Sequence, residues 1–417
     1  MDSAEREGLR PKGNVPNLRF PEFQGEWEKC TFDKIAQYKK GPFGSALKKD
    51  IFVPQSKDTI KVYEQQNAIK KDWNLSRYYI TKGYFNSHMK QFVAKAGDLI
   101  VSCAGTIGEI YELPQDAEEG VFNQALMRVQ VNDEAVNKEI FITVFSSMID
   151  KFSKIYSNGS AIKNIPPFAD LKKTQVFLPC KEEQKKIAKL LALLDERIAT
   201  QNKIIDKLQS LIKGLNDFLY TQYGGEVLTS FAELGTSYSG LSGKSAQDFG
   251  SGKPFITYLN VYSNNVIKEN DFQYVAIKDD EKQNVVKYGD VLFTLSSETP
   301  EEVGVGSVYL GKEKVYLNSF CFGIHITNTE VAFPPYLSYY VSLTAFRKFI
   351  YPYAQGSTRF NLCKADFEKA SIKLPTLADQ KRIYSILSHI DNKIITERQM
   401  LDLYNSQKQY LLRQMFI

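Results

Sequence analysis

A block of 43 residues occurs twice in this chain, and it restricts the possible folds more than any other feature. Residues 178–220 align without a gap onto residues 374–416, at an offset of 196 residues. Identical pairs share this one offset: Leu178/Leu374, Pro179/Pro375, Gln184/Gln380, Ile187/Ile383, Leu191/Leu387, Asp195/Asp391, Ile198/Ile394, Asp206/Asp402 and Leu215/Leu411. So many matches at one offset indicate an internal repeat.

The segments before each copy of the block resemble one another more weakly. Gly97-Asp98 corresponds to Gly289-Asp290, and Tyr156–Ser160 corresponds to Tyr353–Ser357. About 150 residues precede each block, which is the commonest size of one domain. We therefore predict a flexible tail over 1–16, a globular domain over 17–177, a helix over 178–222, a second domain over 223–373 and a second helix over 374–417.

Leucine and isoleucine recur in the first block at alternating steps of four and three, from Ile187 to Leu219. This period of 3.5 is typical of a coiled coil. A helix over 182–220 would be about 58 Å long, so we expect it to project outside a domain of this size. Each helix could instead pack along its own domain, but the narrow seam favours a helix pair.

One position of this seam is polar in both copies, namely Gln201 and its counterpart Glu397. Each lies at the midpoint of its helix. Antiparallel packing about a pseudo-twofold axis would bring the midpoints together, so we predict a polar Gln201/Glu397 layer that determines the register of the coiled coil. Two independently tolerated polar residues are the alternative.

The residue types of known catalytic and metal sites do not occur in suitable patterns. The five cysteines are widely spaced, without a CxxC pair, and His88, His325 and His389 are scattered. Asn164 is separated from Pro166 by Ile165, which destroys the geometry of an adenine methyltransferase motif. Glu183-Gln184-Lys185 has nuclease-like spacing, but we interpret it as surface charge of a helix. We expect no catalytic residue, no metal ion and no cofactor in this chain.

The unpaired cysteines favour a reducing cytoplasm. The longest apolar run, Ile140–Ile149, is about half the roughly 20 residues that a bilayer span requires, so we expect no membrane segment. The net charge of +5 is a modest preference for a polyanion. It is uneven: +3 over 1–177, +2 over 178–222, −2 over 223–373 and +2 over 374–417. Basic, aromatic and Gly-rich loops nevertheless occur in both domains, as in Tyr38–Lys49 and Tyr238–Lys253.

The repeated block is similar to the helical region of type I restriction-modification specificity subunits. The matching residues are Leu178-Pro179, Glu183–Ala188 and Leu194–Ile198, which recur in the second copy, and the opening segment Leu18–Phe23 with Glu26-Trp27 agrees. The resemblance implies an α+β fold with two tandem target-recognition domains, separated and followed by long helices that pair as an antiparallel coiled coil.

The same resemblance implies that each domain recognises one half of a bipartite sequence in double-stranded DNA, and that the helices set the spacing. Two modification subunits would dock on the helices and carry S-adenosylmethionine, and restriction subunits would join the full complex. Methylation and cleavage would then belong to partners. A coiled-coil scaffold without DNA recognition is the alternative, and an enzyme ranks third.

Four loops are candidates for DNA contact by their position: 38–49, 156–164, 237–253 and 353–361. Their candidate residues combine lysine or arginine, which bind phosphates, with short polar side chains, which can contact base edges. They are Lys39, Lys40, Ser45, Lys48, Lys49, Ser160, Lys163, Asn164, Lys244, Lys253, Ser357, Arg359 and Asn361. Ser160 and Ser357 could instead only stabilise turns.

Overall fold

The computed structural model describes residues 13–156 and 168–417. Its contacts divide the chain into two compact units, residues 1–199 with 403–417 and residues 200–402. The last residues of the chain thus belong to the first unit. Of the predicted flexible tail, residues 1–12 lie outside the described ranges. Pro16 is buried, and the Trp27 amide donates a hydrogen bond to the Asn14 carbonyl at 2.8 Å.

The first unit consists mainly of short, largely antiparallel strands. They are β1 (Glu28–Thr31), β2 (Ala36–Lys40), β3 (Thr59–Tyr63), β4 (Tyr78–Thr81), β5 (Val93–Ala94), β6 (Leu99–Ser102), β7 (Ile110–Glu112), β8 (Gly120–Phe122), β9 (Leu126–Val131) and β10 (Gln175–Leu178). One sheet has the order β2-β9-β6-β7, another has the order β4-β3-β8-β5, and β1 pairs with β10. Every residue of β6 is buried, as suits a strand covered on both faces.

Helices cover the strands of this unit: α1 (Phe32–Ile35), α2 (Gln65–Lys70), α3 (Lys82–Tyr84), α4 (Lys138–Tyr156) and α5 (Phe168–Lys173). The apolar run noted above lies in α4. Phe141 and Phe145 are buried there, with ring centres 5.1 Å apart, and Tyr38 stacks on Phe145 at 5.9 Å. This run therefore packs in the core of the unit. The described helices include none long and apolar enough to cross a bilayer.

The first copy of the repeated block forms the long helix α6 (Lys181–Tyr223). The second unit then adds β11 (Val227–Thr229), β12 (Gly235–Ser239), β13 (Phe249–Ile256), β14 (Gln273–Val275), β15 (Val291–Thr294), β16 (Ser296–Ser297), β17 (Gly306–Val308), β18 (Tyr316–Leu317), β19 (Cys321–Ile326), β20 (Ala354–Gln355), β21 (Phe360–Leu362) and β22 (Ile372–Leu374). The sheet order β12-β19-β15-β17 repeats the order β2-β9-β6-β7 of the first unit. The internal repeat therefore extends to the folds of the units.

The helices of the second unit are α7 (Phe231–Leu234), α8 (Tyr258–Ser263), α9 (Pro334–Tyr340), α10 (Thr344–Ile350) and α11 (Lys364–Lys369), followed by α12 (Leu377–Met415) from the second copy of the block. Strands β10 and β22 each end immediately before a proline, Pro179 or Pro375. At the start of α12, the Asp379 amide donates to the Thr376 hydroxyl at 3.2 Å. This contact caps the N-terminus of the helix.

The two long helices run antiparallel in both units. In the second unit, Gln201 of α6 contacts Glu397 of α12, and Leu219 shares a core with Ile383 and Leu387. In the first unit, Asp195 pairs with Lys408, while Ile187 and Leu191 share a core with Met415. These contacts confirm the antiparallel helix pair and the α+β class. The expectation that the helices project outside the domains is wrong for their ends, because those ends are part of the domain cores.

Candidate nucleic-acid interface

Two buried glutamines attach the long helices to the units in the same way. In the first unit, the Gln184 side chain accepts from the Asn137 amide at 2.7 Å and donates to the Pro179 carbonyl at 2.9 Å. In the second, Gln380 accepts from the Phe333 amide at 2.8 Å and donates to the Pro375 carbonyl at 2.9 Å. This shared contact explains why glutamine occupies both positions of the repeat.

Glu183 corrects one sequence interpretation, because it is fully buried rather than surface charge. Arg19 donates two hydrogen bonds to its carboxylate, from Nε to Oε1 at 2.8 Å and from Nη2 to Oε2 at 2.7 Å. The partners lie 164 residues apart in the sequence. Such a planar, bidentate pair is among the strongest ionic contacts in proteins, and it fixes the opening segment on α6.

The loop over 38–49, which follows β2, presents most of its predicted residues to solvent. Lys40, Ser45, Lys48 and Lys49 are exposed. Lys39 is half-buried, because its ammonium donates to Gln91 Oε1 at 3.0 Å and lies 5.2 Å from the ring centre of Phe92. Among the described residues, neither Lys40, Lys48 nor Lys49 has an acidic partner within ion-pair distance. These three ammonium groups are therefore available to an anion.

Buried contacts on either side hold this loop in place. Gly41 passes so close to Asn123 that a Cβ atom would lie 2.0 Å from the Asn123 carbonyl oxygen. Leu47 is buried, and the Tyr84 hydroxyl donates to the Ala46 carbonyl at 2.8 Å. Between these fixed points, Phe43 is 90% exposed. Phe43 is not among the residues predicted from the sequence, although its position within a lysine-rich loop is a usable signal.

The corresponding loop of the second unit begins with the same close backbone contact and then carries different side chains. A Cβ atom on Gly240 would again lie 2.0 Å from a carbonyl oxygen, that of Asn318. Lys244 donates to the Ala276 carbonyl at 2.6 Å and pairs with Glu281 at 2.5 Å, which leaves its side chain 8% exposed. This lysine holds the pKa of Glu281 below its usual value. Lys244 thus has an internal role, whereas Lys253 on β13 is exposed.

The remaining candidates of the second unit lie on the hairpin formed by β20 and β21. Ser357, Arg359 and Asn361 are all exposed. The Arg359 guanidinium lies 5.6 Å from the ring centre of Phe320, a second exposed aromatic residue that is not among the residues predicted from the sequence. Ser160, Lys163 and Asn164 lie outside the described residues, so their placement stays a prediction.

Gln201 and Glu397 meet inside the helix pair, and each is 6% exposed. The Gln201 amide donates to the Glu397 carbonyl at 3.1 Å and also to its carboxylate. Lys393 pairs with the same carboxylate at 2.5 Å. The Lys393 ammonium and then the Gln201 amide hold the pKa of Glu397 below its usual value. The contact is a fact of the structure, and its role in setting register stays a prediction.

The buried polar cluster around Asp290 is fully occupied by internal contacts. Its carboxylate accepts from the Tyr238 hydroxyl at 2.7 Å and lies 2.8 Å from His325 Nδ1. Burial raises the pKa of Asp290 and that of Tyr238. The Tyr238 and His325 rings stack 4.2 Å apart, so this histidine is held by the fold. In the described part of the chain, no three His, Cys, Asp or Glu residues are grouped as metal ligands.

Comparisons with known proteins agree on one family. The family model described as "Type I restriction modification DNA specificity domain" matches residues 24–210 and 235–403. A protein of Methanocaldococcus jannaschii, named as the specificity subunit of the type I restriction enzyme MjaX, is 25% identical, and the alignment covers 88% of this chain and 92% of that protein.

Two solved structures share the fold. The crystal structure of the type I restriction-modification system S subunit from M. genitalium is 15% identical, with a TM-score of 0.50, and the alignment covers 97% of this chain and 99% of that one. A chain from work on complex assembly and conformational transition of the type I R-M system is 16% identical, with a TM-score of 0.58 and coverage of 93% and 96%.

Proposed function

Because this chain belongs to the family of type I restriction-modification DNA specificity domains and recognises DNA sequence in that role, we propose that it reads a bipartite target. Most of each matched region lies within one unit: residues 24–210 mainly in the first and residues 235–403 mainly in the second. The loops of the units carry different exposed side chains, so the two half-sites differ in sequence. This tandem match is the observation that carries the proposal, and it favours DNA recognition over a scaffold without it.

In the first unit, the free ammonium groups of Lys40, Lys48 and Lys49 support phosphate contacts on either side of the exposed tip. Such contacts place a protein on the duplex, while side chains between them contact base edges. Phe43 stands at this tip and is suited to an apolar contact with the bases, such as the methyl group of thymine.

In the second unit, phosphate contacts have fewer candidates. Lys244 is occupied by Glu281, and Arg347 donates to the carbonyls of Gly304 at 2.6 Å, Glu301 at 2.7 Å and Val303 at 2.8 Å. Lys253 and Arg359 remain exposed. The second half-site is therefore read with a smaller electrostatic contribution than the first.

The long helices would dock two modification subunits, which bind S-adenosylmethionine and methylate adenine. Ile204, Leu211 and Phe218 follow one another at intervals of seven on α6 and are 38%, 52% and 61% exposed. They lie on one face, beside the seam, where charged residues are usual. An exposed apolar stripe of this kind is typical of a protein interface. Restriction subunits would join the full complex in the cytoplasm and cleave the DNA.

Expression of this chain with the modification subunit from its own locus, followed by genome-wide mapping of methylated adenine, tests the proposal. We expect one bipartite motif with a fixed spacer. The Lys48→Ala/Lys49→Ala variant is the matched control, because it removes phosphate contacts without changing the motif itself. A stable complex that methylates no motif, and whose DNA affinity does not change with salt, would instead support the scaffold alternative.

A further inference from the structure

Two exposed side chains from separate segments of the second unit meet at one point. Phe320 lies in the turn between β18 and β19 and is 54% exposed, and Arg359 lies at the tip of the β20–β21 hairpin. The guanidinium carbon is 5.6 Å from the ring centre, which is the distance of a cation–π contact. The exposed ring of Phe320 thus provides a flat surface on which the guanidinium of Arg359 lies.

The backbone fixes both partners of this pair. The Phe320 amide donates to the Asn318 side chain at 2.9 Å, and its carbonyl accepts from the Leu295 amide at 2.8 Å. The Leu295 carbonyl in turn accepts from the Leu362 amide of the hairpin at 2.8 Å. The turn and the hairpin are thus joined through one residue.

Gly356 closes the hairpin next to Arg359. Its φ is +144°, and a Cβ atom there would lie 2.1 Å from the Arg359 carbonyl oxygen. Only glycine fits both restrictions without strain. Glycine at position 356 therefore allows the backbone to turn closely against Arg359.

The guanidinium of Arg359 keeps its hydrogen-bonding edge free. Across the described ranges, Arg359 has neither a side-chain hydrogen bond to protein nor an acidic partner, and its guanidinium lies against the Phe320 ring. Arg347 of the same unit shows the opposite case, because three carbonyls occupy its donors. Stacking uses the flat face of a guanidinium, and its five N–H donors point outward in the plane.

We propose that Phe320 is a positioning residue that holds Arg359 so that its free edge donates to O6 and N7 of one guanine in the half-site of the second unit. This inference rests on the proposed function and specifies its chemistry. Bidentate donation to O6 and N7 is the specific contact with DNA that arginine makes best. The first unit has Ala125 at the position of Phe320, since Asn123 there accepts from the Ala125 amide at 3.0 Å, so the contact is particular to one half-site.

The test uses the complex with the modification subunit and duplexes that carry the mapped motif, with 7-deazaguanine replacing each guanine in turn. That base lacks the N7 acceptor. For the wild-type chain, we expect one position of the second half-site at which the replacement weakens binding about tenfold. Arg359→Ala should bind both duplexes equally, at the weakened level.

Phe320→Leu keeps the apolar bulk but removes the aromatic face, so it should lose most of this discrimination. Phe320→Tyr keeps the aromatic face and should retain the discrimination between guanine and 7-deazaguanine. Tyr288→Leu, which removes an exposed ring without a guanidinium partner, is the matched control. Reading of the first half-site should stay unchanged in every variant, which shows that each protein is folded and bound.

Three results would overturn the inference while leaving the proposed function intact. The first is a second half-site that contains no guanine. The second is that Arg359→Ala weakens binding to all DNA sequences equally, as expected for a phosphate contact. The third is that Phe320→Leu still distinguishes guanine from 7-deazaguanine fully. A wild-type complex that binds no sequence preferentially would instead contradict the proposed function itself.

Discussion

The loops that follow β2 and β12 begin with the same close approach of a glycine to an asparagine and then differ in backbone and in side chains. A Cβ atom on Gly41 or on Gly240 would lie 2.0 Å from the carbonyl oxygen of an asparagine. At the tip of the first loop, Phe43 is exposed. At the tip of the second, the Ser242 amide donates to the Gln283 side chain at 3.1 Å, and that side chain donates to the Ser242 carbonyl at 2.8 Å. The glycine contact that anchors each loop is therefore common to both units, while the residues at the loop tips differ.

The largest expected effect concerns a contact that the units do not share. Arg19→Met leaves the Glu183 carboxylate buried without a partner, and we expect it to lower the free energy of unfolding of the first unit by roughly 3–5 kcal/mol. In the second unit the corresponding residue is Asp379, whose carboxylate accepts a hydrogen bond from the Thr376 hydroxyl at 2.7 Å and is not paired with an arginine among the described residues. Urea denaturation followed by tryptophan fluorescence measures this effect, because Trp27 and Trp73 both lie in the first unit.

A matched double variant controls for loss of packing. Arg19→Met with Glu183→Met removes both charges, and it should recover most of the stability, since an apolar pair of similar volume is often no worse than a buried ion pair. A loss below about 1 kcal/mol for Arg19→Met alone would contradict the strength assigned to this contact.

The next effect concerns the contact that the units do share. Gln380→Leu leaves three backbone groups unpaired, those of Phe333, Pro375 and Val331, whereas Gln184→Leu leaves two, those of Asn137 and Pro179. Each buried unpaired group costs about 1–3 kcal/mol, so we expect both variants to destabilise and Gln380→Leu to do so more.

Far-UV circular dichroism during urea denaturation reports both units, and tryptophan fluorescence reports the first alone. Gln184→Leu should therefore shift both signals, and Gln380→Leu mainly the circular dichroism. The Gln→Glu variants keep the acceptor and lose the donors, so their effects should be intermediate. If one glutamine proved dispensable, the two attachments would not be equivalent.

Salt dependence separates the lysines of the two loops. Lys48→Ala/Lys49→Ala should reduce the slope of log affinity against log salt by about 2, because each phosphate contact contributes roughly 0.9. Lys244→Ala should leave the slope unchanged and instead destabilise the second unit, because its ammonium is paired with Glu281. Titration of the DNA complex at several salt concentrations measures both. Equal slopes for the double variant and the wild type would show that these exposed lysines do not reach phosphates.

The sequence was sufficient for features that repeat along the chain and insufficient for contacts between distant segments. The heptad spacing from Ile187 to Leu219 predicts a long helix, and the offset of the two blocks predicts its partner. Lys244, by contrast, has the same local pattern as an exposed lysine, and only the fold brings Glu281 to it, 37 residues away. Glu183 was interpreted wrongly for the same reason, because local sequence does not reveal that Arg19 lies beside it.

The smallest expected effect concerns the polar position of the helix seam, which is Gln201 in one copy and Glu397 in the other. Only Glu397 titrates. Its folded-state pKa is held below the unfolded value of about 4.3. Its contribution to stability is therefore fully present above that pH and is lost as the pH falls through the folded-state pKa. Thermal denaturation between about pH 3 and 7 should show a smaller loss at acid pH in Glu397→Gln than in the wild type.

Gln201→Glu places a second carboxylate against that of Glu397 and reverses the direction in which stability changes with pH. Two facing carboxylates raise the pKa of the pair, so this variant should lose stability as the pH rises through that range. The same variant separates the two explanations of the seam position. If Gln201 and Glu397 were tolerated independently of one another, the pH profile of Gln201→Glu would match that of the wild type.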